Sequence, residues 1–300
     1  MSTAQLVNLG FNRNSIRAAV NKGDLRRVAR GVYVKAGVPD SSLLRASALS
    51  LVLPHSSVAV GLSAAWIHRI PGIELDVNDL FARPEFAIVG RDLHIARAGV
   101  VQHRYQIDQI DLMKIGDLTL TTLERTAFDL ARIKDAYKAL GYLDMCAATG
   151  HLDLKQVLRI RRQSRGYRFV GMIDQLLPLI DNASQSMGES RTRLKIIQAG
   201  LPVPTSQCQV FIPTTGQTYY LDLGWRRVKV GVEFDGNSDH SSPDQIAHDQ
   251  RRRALIEAQG WKIIVVRSED LRSEEWLSDV RVAIETRLPK SLSLALMASG

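Results

Sequence analysis

Two acidic residues in the segment 219–240 are placed where a β-hairpin could hold a metal ion. Apolar residues alternate with others along both arms of the predicted hairpin, at Leu221, Leu223 and Trp225 and then at Val228, Val230, Val232 and Phe234. A buried apolar face fixes the register of a hairpin, because a slip of one residue would turn the whole apolar set toward water.

This register brings two carboxylates face to face. On the apolar face it pairs Trp225 with Val230, Leu223 with Val232 and Leu221 with Phe234, and on the other face Asp222 with Glu233 and Gly224 with Gly231. Like charges directly opposite each other destabilise a sheet. A divalent cation between Asp222 and Glu233 would remove the repulsion, and the two glycines would leave room for a bulky group. The hairpin therefore predicts a metal site.

The composition is that of a globular protein with more than one domain. The chain has 300 residues, of which 45% are hydrophobic and 23% are charged, and this length favours two or three domains. Residues 1–30 are polar and basic, no apolar run is as long as a membrane span, and Cys146 and Cys208 form no disulfide framework or metal cluster. We therefore expect a cytoplasmic protein without a membrane partner.

Basic residues are concentrated in two segments, which favours a polyanionic partner. The formal net charge is +8, and residues 1–40 hold seven Lys or Arg against two acids, a net of +5. Residues 155–168 hold six basic residues and no acid. Local clusters of this kind are typical of surfaces that contact nucleic-acid phosphates. For the second segment, a solvated helix face is the alternative.

Residues 1–40 have the pattern of a small winged helix. A short helix from Thr3 ends at Gly10, and a second begins after Asn12 or Asn14 and ends before Gly23. A hairpin with arginines at its tip follows. Helix and hairpin together present side chains that suit a major groove and its flanking phosphates: Arg13, Asn14, Arg17, Asn21, Arg26, Arg27 and Arg30. The alternative is a packing element whose charges are only solvated.

The first part of the chain resembles the AbiEi-type antitoxins, a family of winged-helix regulators. The matching segments are Gln5-Leu6, GDLRRVARGVY from Gly23 to Tyr33, SAAWIHRIPG from Ser63 to Gly72 and TTLERTAFDLAR from Thr121 to Arg132. The resemblance implies a winged-helix DNA-binding domain over residues 1–40, a mixed α+β middle domain over residues 41–180, operator binding, and a cognate toxin protein as a partner.

The polar segment 181–187 marks a boundary before a C-terminal domain over residues 186–290. The pattern there predicts a helix, a strand, the hairpin, a helix, a strand and a helix. The apolar, β-branched run at 262–267 reads as a buried strand parallel to an earlier one. We therefore expect a multi-domain α/β protein whose C-terminal part is an α/β sandwich.

The C-terminal part resembles the PD-(D/E)XK nuclease superfamily, and within it the Vsr-like endonuclease domains. The match is carried by Glu189, YLDL at 220–223, VEFDG at 232–236, His240, Asp249 with Arg252, and GWKIIVVR at 260–267. The resemblance implies a restriction-endonuclease-like sandwich that hydrolyses DNA, double-stranded DNA above all, with Mg²⁺ or Mn²⁺.

Carboxylates would hold the ion. Asp222 and Glu233 are the expected ligands, because Mg²⁺ prefers a few carboxylate oxygens together with water. The ion would polarise the scissile phosphate and lower the pKa of the attacking water. Glu189 is expected to complete the site, or else to close a capping box with Ser186.

Other residues would handle protons and phosphates. His240 is expected to orient or deprotonate the water, or to protonate the leaving oxygen. Arg252 and Arg267 are expected to contact phosphate, although Arg252 could instead pair with Asp249 one helical turn away.

One position departs from the nuclease pattern. The usual lysine, two residues after the glutamate, is replaced by Asp235. On the same face as Glu233, Asp235 could be a further catalytic ligand or could hold His240. The charge-stabilising role of the lysine would then fall to Lys229, Arg267 or Gln209.

Three hypotheses follow. The first is a metal-dependent DNA endonuclease targeted by its winged helix. The second is a non-catalytic antitoxin-like repressor, whose nuclease-like domain serves binding or formation of a homodimer. The third takes the acids as unrelated surface residues, which requires Asp222 and Glu233 to lie apart. The sequence favours the first, because hydrophobicity alone selects the register that brings the two acids together.

Overall fold

The structure, a computed structural model, describes residues 1–72, 84–88, 100–103, 106–236 and 243–288. Its helices and sheets confirm the expected mixed α/β fold class. The chain separates into two compact units, Met1–Pro178 and Leu179–Gly300. The finer division into domains over 1–40, 41–180 and 186–290 stays a prediction.

The first unit begins with two short helices and a hairpin. Helices α1 (Thr3–Asn8) and α2 (Arg13–Asn21) each start with a capping box, formed by Ser2 with Gln5 and by Asn12 with Ser15. Of the two asparagines expected to start the second helix, Asn12 is the one that caps it. Strand β1 (Leu25–Ala29) then pairs antiparallel with β2 (Val32–Lys35), as the sequence predicts.

The rest of the first unit is a sheet with helices packed against it. The strands are β3 (Val58–Ala59), β4 (Glu85–Ala87), β5 (Val101–His103), β6 (Leu112–Ile115) and β7 (Leu118–Thr121), in the order β5-β4-β3-β7-β6. The helices are α3 (Ser42–Ser50), α4 (Gly61–Ile67), α5 (Leu123–Ala131), α6 (Ala136–Ala147), α7 (Leu154–Gln163) and α8 (Val170–Leu176), with 3-10 turns at Gln109–Asp111 and Leu177–Leu179.

A buried ion network ties α5 and α7 to this sheet. Arg125 donates from Nε to Asp129 Oδ2 at 2.9 Å and from Nη1 to Asp111 Oδ2 at 3.5 Å. Arg159 of α7 contacts the other oxygen of Asp111. Thr122 caps α5 by accepting the amide of Arg125. A helix start capped by Thr122 and the ion pair of Arg125 with Asp129 therefore account for the polar residues of this segment.

The second unit is a four-stranded sheet between helices. Helix α9 (Met187–Gln198) leads into strands β8 (Thr205–Ile212), β9 (Gln217–Trp225) and β10 (Val230–Asp235), followed by α10 (Pro243–Ala258), β11 (Lys262–Arg267), a 3-10 turn (Asp270–Arg272) and α11 (Glu275–Arg287). The order is β11-β10-β9-β8, with β11 parallel to β10 and the other pairs antiparallel. The predicted parallel strand at 262–267 is thus confirmed.

Each face of this sheet carries its own apolar cluster. One cluster joins Leu223, Val230 and Val232 to Ile196 of α9 and Trp276 of α11. The other joins β8 residues to Ile256 of α10, with Cys208, Val210, Ile212, Leu221, Trp261 and Ile263 as its further members. Burying both faces under helices is typical of an α/β sandwich.

The predicted hairpin register is correct near its turn and wrong beyond Leu223. Trp225 lies opposite Val230, Gly224 opposite Gly231 and Leu223 opposite Val232, as expected. The ladder ends there, so the expected pairs of Asp222 with Glu233 and Leu221 with Phe234 do not form. The amide of Phe234 donates instead to Oδ2 of Asp222, at 2.8 Å, and a side chain thereby replaces a ladder partner.

Strand β9 changes face at the same place. Leu221 and Leu223 would share a face in a regular strand, yet they belong to clusters on opposite faces. Leu221 fills the space beside Gly231, where an added Cβ would lie 2.6 Å from its Cδ1. Cys208 fills the space beside Gly224, at 2.7 Å. The expectation that the glycine pair leaves room for a bulky group is therefore wrong, because the chain's own side chains occupy that room.

Helix α9 approaches the end of β10 so closely that only glycine fits at their contact. A Cβ added to Gly188 would lie 1.9 Å from Cε1 of the Phe234 ring. Gly188 precedes Glu189, one of the predicted ligands, so this contact holds the turn of the helix that carries Glu189 against β10.

We expect Gly188→Ala to destabilise the protein by about 1–3 kcal/mol, because the added methyl group would force the Phe234 ring out of place. Chemical unfolding followed by circular dichroism measures the loss. Gly171→Ala is the matched control: Gly171 is also the second residue of its helix, α8, and an added Cβ there meets no atom within 4 Å. The control should be neutral or stabilising. Equal effects of the two changes would contradict the proposed contact.

Candidate metal centre

Asp222 lies where the strand pairing on both of its sides is interrupted. Pairing with β10 ends at Leu223, one residue before Asp222 is reached. In the pairing with β8, Gln207 and Asp222 stand at the same gap and do not pair with each other. Gln207 has a φ of 48°, in the left-handed region that a side chain makes costly. The backbone is therefore irregular on both sides of Asp222.

Glu189 approaches from α9 and is held by hydrogen bonds. Its Oε2 accepts the amide of Gln185 at 3.0 Å and the Nε2 group of Gln207 at 3.2 Å. Its own amide donates to Oγ of Ser186 at 3.1 Å, which caps the helix. Ser186 thus caps the helix as expected. The capping box is not closed in the usual way, because the Glu189 carboxylate accepts the amide of Gln185 instead of the amide of Ser186. Its carboxyl group is buried, and burial raises its pKa.

Glu233 is buried and compensated by two arginines of α10. Arg252 Nη2 lies 2.6 Å from Oε1, and Arg253 Nε lies 2.8 Å from Oε2. Arg252 also donates to the carbonyl of Tyr220 at 3.3 Å, whereas its distance to Asp249 is 4.0 Å. The expected partner Asp249 is therefore the weaker one. The sequence offered no sign of the Glu233 pairing, because the residues are far apart in the chain.

The charge of Asp222 is the least compensated of the three carboxylates. Burial raises the pKa of its carboxyl group, and the negative charges of Glu189 and Glu233 raise it further, to about 7. The Phe234 amide and Arg252 act in the opposite direction. A carboxyl group whose ionisation is disfavoured by neighbouring negative charges lies close to those charges, although Asp222 and Glu233 are not ladder partners.

The remaining predicted residues lie around this group or outside the described ranges. Asp235, half-buried at the end of β10, pairs in the ladder with exposed Arg267 of β11. His240 lies outside the described residues. Lys229 donates to the carbonyl of Gln259 at the hairpin turn, and Gln207 rather than Gln209 reaches Glu189. The sequence did not identify Gln207 and Arg253 as residues of the site. Residue spacing does not reveal a left-handed backbone conformation, nor which acid an arginine side chain will contact.

The residues of the first unit that are predicted to contact nucleic acid lie on the side of the helix and hairpin where we expected them. Helix α2 buries Ile16 and exposes Arg13, Asn14, Arg17 and Asn21. In the hairpin, Arg27 and Arg30 are exposed, and Arg26 is half-buried and donates to the carbonyl of Val38. The faces are confirmed, whereas binding of DNA stays a prediction.

Two carboxylates are the donors best placed for a metal ion. In the described ranges, no three His, Cys, Asp or Glu side chains form a ready-made ligand group. Mg²⁺ needs only one or two carboxylates, because it keeps several waters. Asp222 and Glu189 fit that requirement, since Glu189 is buried, Asp222 is half-buried, and loss of solvent raises the pKa of both. Both oxygens of Glu233 are already taken by arginines, so its part would be smaller than the sequence suggested.

The chain is similar to two proteins along nearly its whole length. No family model matches the sequence. Two uncharacterized proteins of Mycobacterium tuberculosis, from the strains CDC 1551 / Oshkosh and ATCC 25618 / H37Rv, are each 27% identical over 285 residues, covering 91% of this chain and 96% of each relative. The similarity therefore spans both compact units. Within the described residues, no helix is long and apolar enough to cross a membrane.

We expect Asp222→Asn to stabilise the protein without metal at pH 8, by as much as about 4 kcal/mol. The folded state raises the pKa of Asp222 from 3.8 to about 7, so it prefers the protonated form. The resulting stability is present below pH 3.8 and is lost as the pH rises through about 7. Asparagine stays neutral and keeps an acceptor for Phe234. Urea unfolding in EDTA at several pH values measures the difference, and identical curves at pH 8 would contradict the shifted pKa.

We expect Glu233→Gln to destabilise the second unit by about 2–4 kcal/mol, because it leaves two arginines without their buried anion. Asp249→Asn is the matched control. It removes the long, exposed contact to the same Arg252, which should be worth less than about 1 kcal/mol. The measurement is chemical unfolding followed by tryptophan fluorescence. A loss for Asp249→Asn as large as that for Glu233→Gln would contradict the assignment.

Proposed function

We propose that this protein binds DNA and hydrolyses it with a Mg²⁺ or Mn²⁺ ion held by Asp222 and Glu189, with Glu233 beside them. The single observation that carries the proposal is the convergence of these carboxyl groups. The amide of Phe234, next to Glu233, donates to Asp222 at 2.8 Å, and Gln207, at the gap opposite Asp222 in the β8 ladder, donates to Glu189 at 3.2 Å. Partial burial and the charges of Glu189 and Glu233 raise the pKa of Asp222 to about 7. Three separate elements, β9, α9 and β10, bring these groups together. A divalent cation held by Asp222 and Glu189 would stabilise the negative charge that the arginines beside Glu233 leave uncompensated.

The residues around the centre supply positioning and positive charge. The bound ion would polarise a phosphate and lower the pKa of a water molecule. The Phe234 amide holds one oxygen of Asp222, and Gln207 holds one oxygen of Glu189. Arg252 and Arg253 bring two guanidinium groups beside the carboxylates. Guanidinium groups are strong phosphate partners, so these two would replace the missing lysine.

The proposal includes the two resemblances found in the sequence. The four strands with helices on both faces suit a restriction-endonuclease-like sandwich of the Vsr type. Helix α2 and the β1–β2 hairpin suit a winged helix of the AbiEi type, with Arg13, Arg17 and Arg30 toward the DNA. The first unit would then choose the site, and the second would cut.

A non-catalytic antitoxin-like repressor is the second candidate. The observation that favours it is the pairing of both Glu233 oxygens with arginines, together with Asp235 in the place of the usual lysine. A nuclease-like unit with a neutralised carboxylate could serve to bind a cognate toxin or a second copy of the chain. This candidate predicts tight operator binding without cleavage.

Cleavage of supercoiled plasmid DNA and of single-stranded circular DNA with Mg²⁺ or Mn²⁺ tests the first candidate. We expect the wild type to nick DNA, and Asp222→Asn to lower the rate by at least about 100-fold, because the principal ligand is lost. Glu189→Gln should have a similar effect.

Asp249→Asn, next to the arginines but outside the carboxylate group, is the control and should keep its activity. Binding of the same DNA in EDTA shows whether each variant is folded. Cutting that survives Asp222→Asn would overturn the mechanism. A wild type that binds an operator tightly but never cuts would favour the repressor.

A further inference from the structure

A second basic surface lies on the first unit, away from α2 in the chain. Helix α7 and the loop after it, residues 155–168, carry six basic residues and no acid. Two of the six fix the helix in place. Arg159 pairs with Asp111, and Arg161 Nε donates to Asp174 at 2.8 Å. On its inner face the helix buries Val157 and Ile160.

The other four cations point to solvent. Lys155, Arg162, Arg165 and Arg168 are exposed. Their side chains make no hydrogen bond or ion pair with any residue that the structure describes. The two paired arginines therefore fix helix α7 to its neighbours, and the four remaining cations are available to bind an anion from outside the protein.

An exposed aromatic ring stands at the end of this surface. Phe169 is 38% exposed, and the guanidinium carbon of Arg168 lies 5.3 Å from the centre of its ring. Its φ of 59° is in the left-handed region, which is uncommon for a bulky side chain and costs about 1–3 kcal/mol. The strained backbone thus goes together with a phenylalanine ring that stays partly exposed.

We propose that the basic face, defined as Lys155, Arg162, Arg165, Arg168 and Phe169, binds an unpaired DNA strand. The four cations would contact phosphates of the strand, and a base would stack on the exposed part of the Phe169 ring. Cations that follow the backbone, combined with an aromatic platform, are the usual means of binding single strands. In duplex DNA the bases are already stacked on each other, so the ring would have no partner. Cleavage is not required for this binding.

Binding of fluorescent single-stranded oligothymidylate and of a duplex of equal length, measured by anisotropy in EDTA, tests the proposal. We expect Phe169→Asn to weaken single-strand binding about tenfold and duplex binding less than about twofold, because only unpaired bases can stack on the ring. Asparagine tolerates the left-handed conformation, so the backbone should keep its shape. Phe169→Gly, which also accepts this φ, is the second variant if the first folds poorly.

The charges are tested separately. Replacing Arg162, Arg165 and Arg168 by glutamine should make the slope of log K against log salt less steep by about 2, since each phosphate contact on a single strand contributes about 0.7. The matched control removes the same charge from three other exposed cations of the first unit, Lys114, Lys134 and Lys138. We expect its slope to stay near that of the wild type.

Three results would overturn the proposal. The first is an unchanged affinity for single strands in folded Phe169 variants. The second is a Phe169 variant that weakens duplex binding as much as single-strand binding. The third is a control lysine variant whose salt slope falls as much as that of the arginine variant. EDTA prevents metal-dependent cutting, so a failure of the proposed nuclease would leave this measurement unaffected. Conversely, loss of single-strand binding by the Phe169 variant with normal plasmid nicking would separate the two functions.

Discussion

Partial burial of the Asp222 carboxyl group beside two other carboxyl groups is the constraint on which the candidate site depends. Buried carboxylates each need a proton, a cation or several hydrogen bonds. Glu233 has two arginines, and Glu189 has two N–H donors. Asp222 has one backbone amide. Its pKa therefore rises to about 7, and the centre lacks positive charge at that one point. A metal ion, a proton or a substrate-bound cation would each satisfy the same need.

The sequence predicted much of the second unit, and it failed where the strands are irregular. Alternation of apolar residues located β9, β10 and their register as far as Leu223. It could not predict that the side chain of Asp222 accepts the hydrogen bond of the Phe234 amide, because strand periodicity assumes that backbone groups pair with each other. The left-handed Gln207 has no signature in spacing either. Acidic residues were thus found from composition and pattern, while the groups that hold them were found only in three dimensions.

In the first unit, helix faces were easier to predict than ion pairs. The periodicity of α2 correctly separated buried Ile16 from the exposed arginines and asparagines, because burial follows the helical repeat. Of the basic block 155–168, the sequence could not say which side chains are paired. Arg159 finds Asp111, 48 residues away in the chain, and such long-range pairs depend on the whole fold.

The filled space beside Gly231 has a consequence for how the site can vary. Leu221 occupies that space and is followed directly by Asp222. A side chain at Gly231 would push the end of the Leu221 side chain out of its present place. The residue before the central carboxylate therefore packs in the apolar core only because position 231 has no side chain. Substitution of this glycine would disturb the packing next to Asp222 while leaving every acidic residue of the site unchanged.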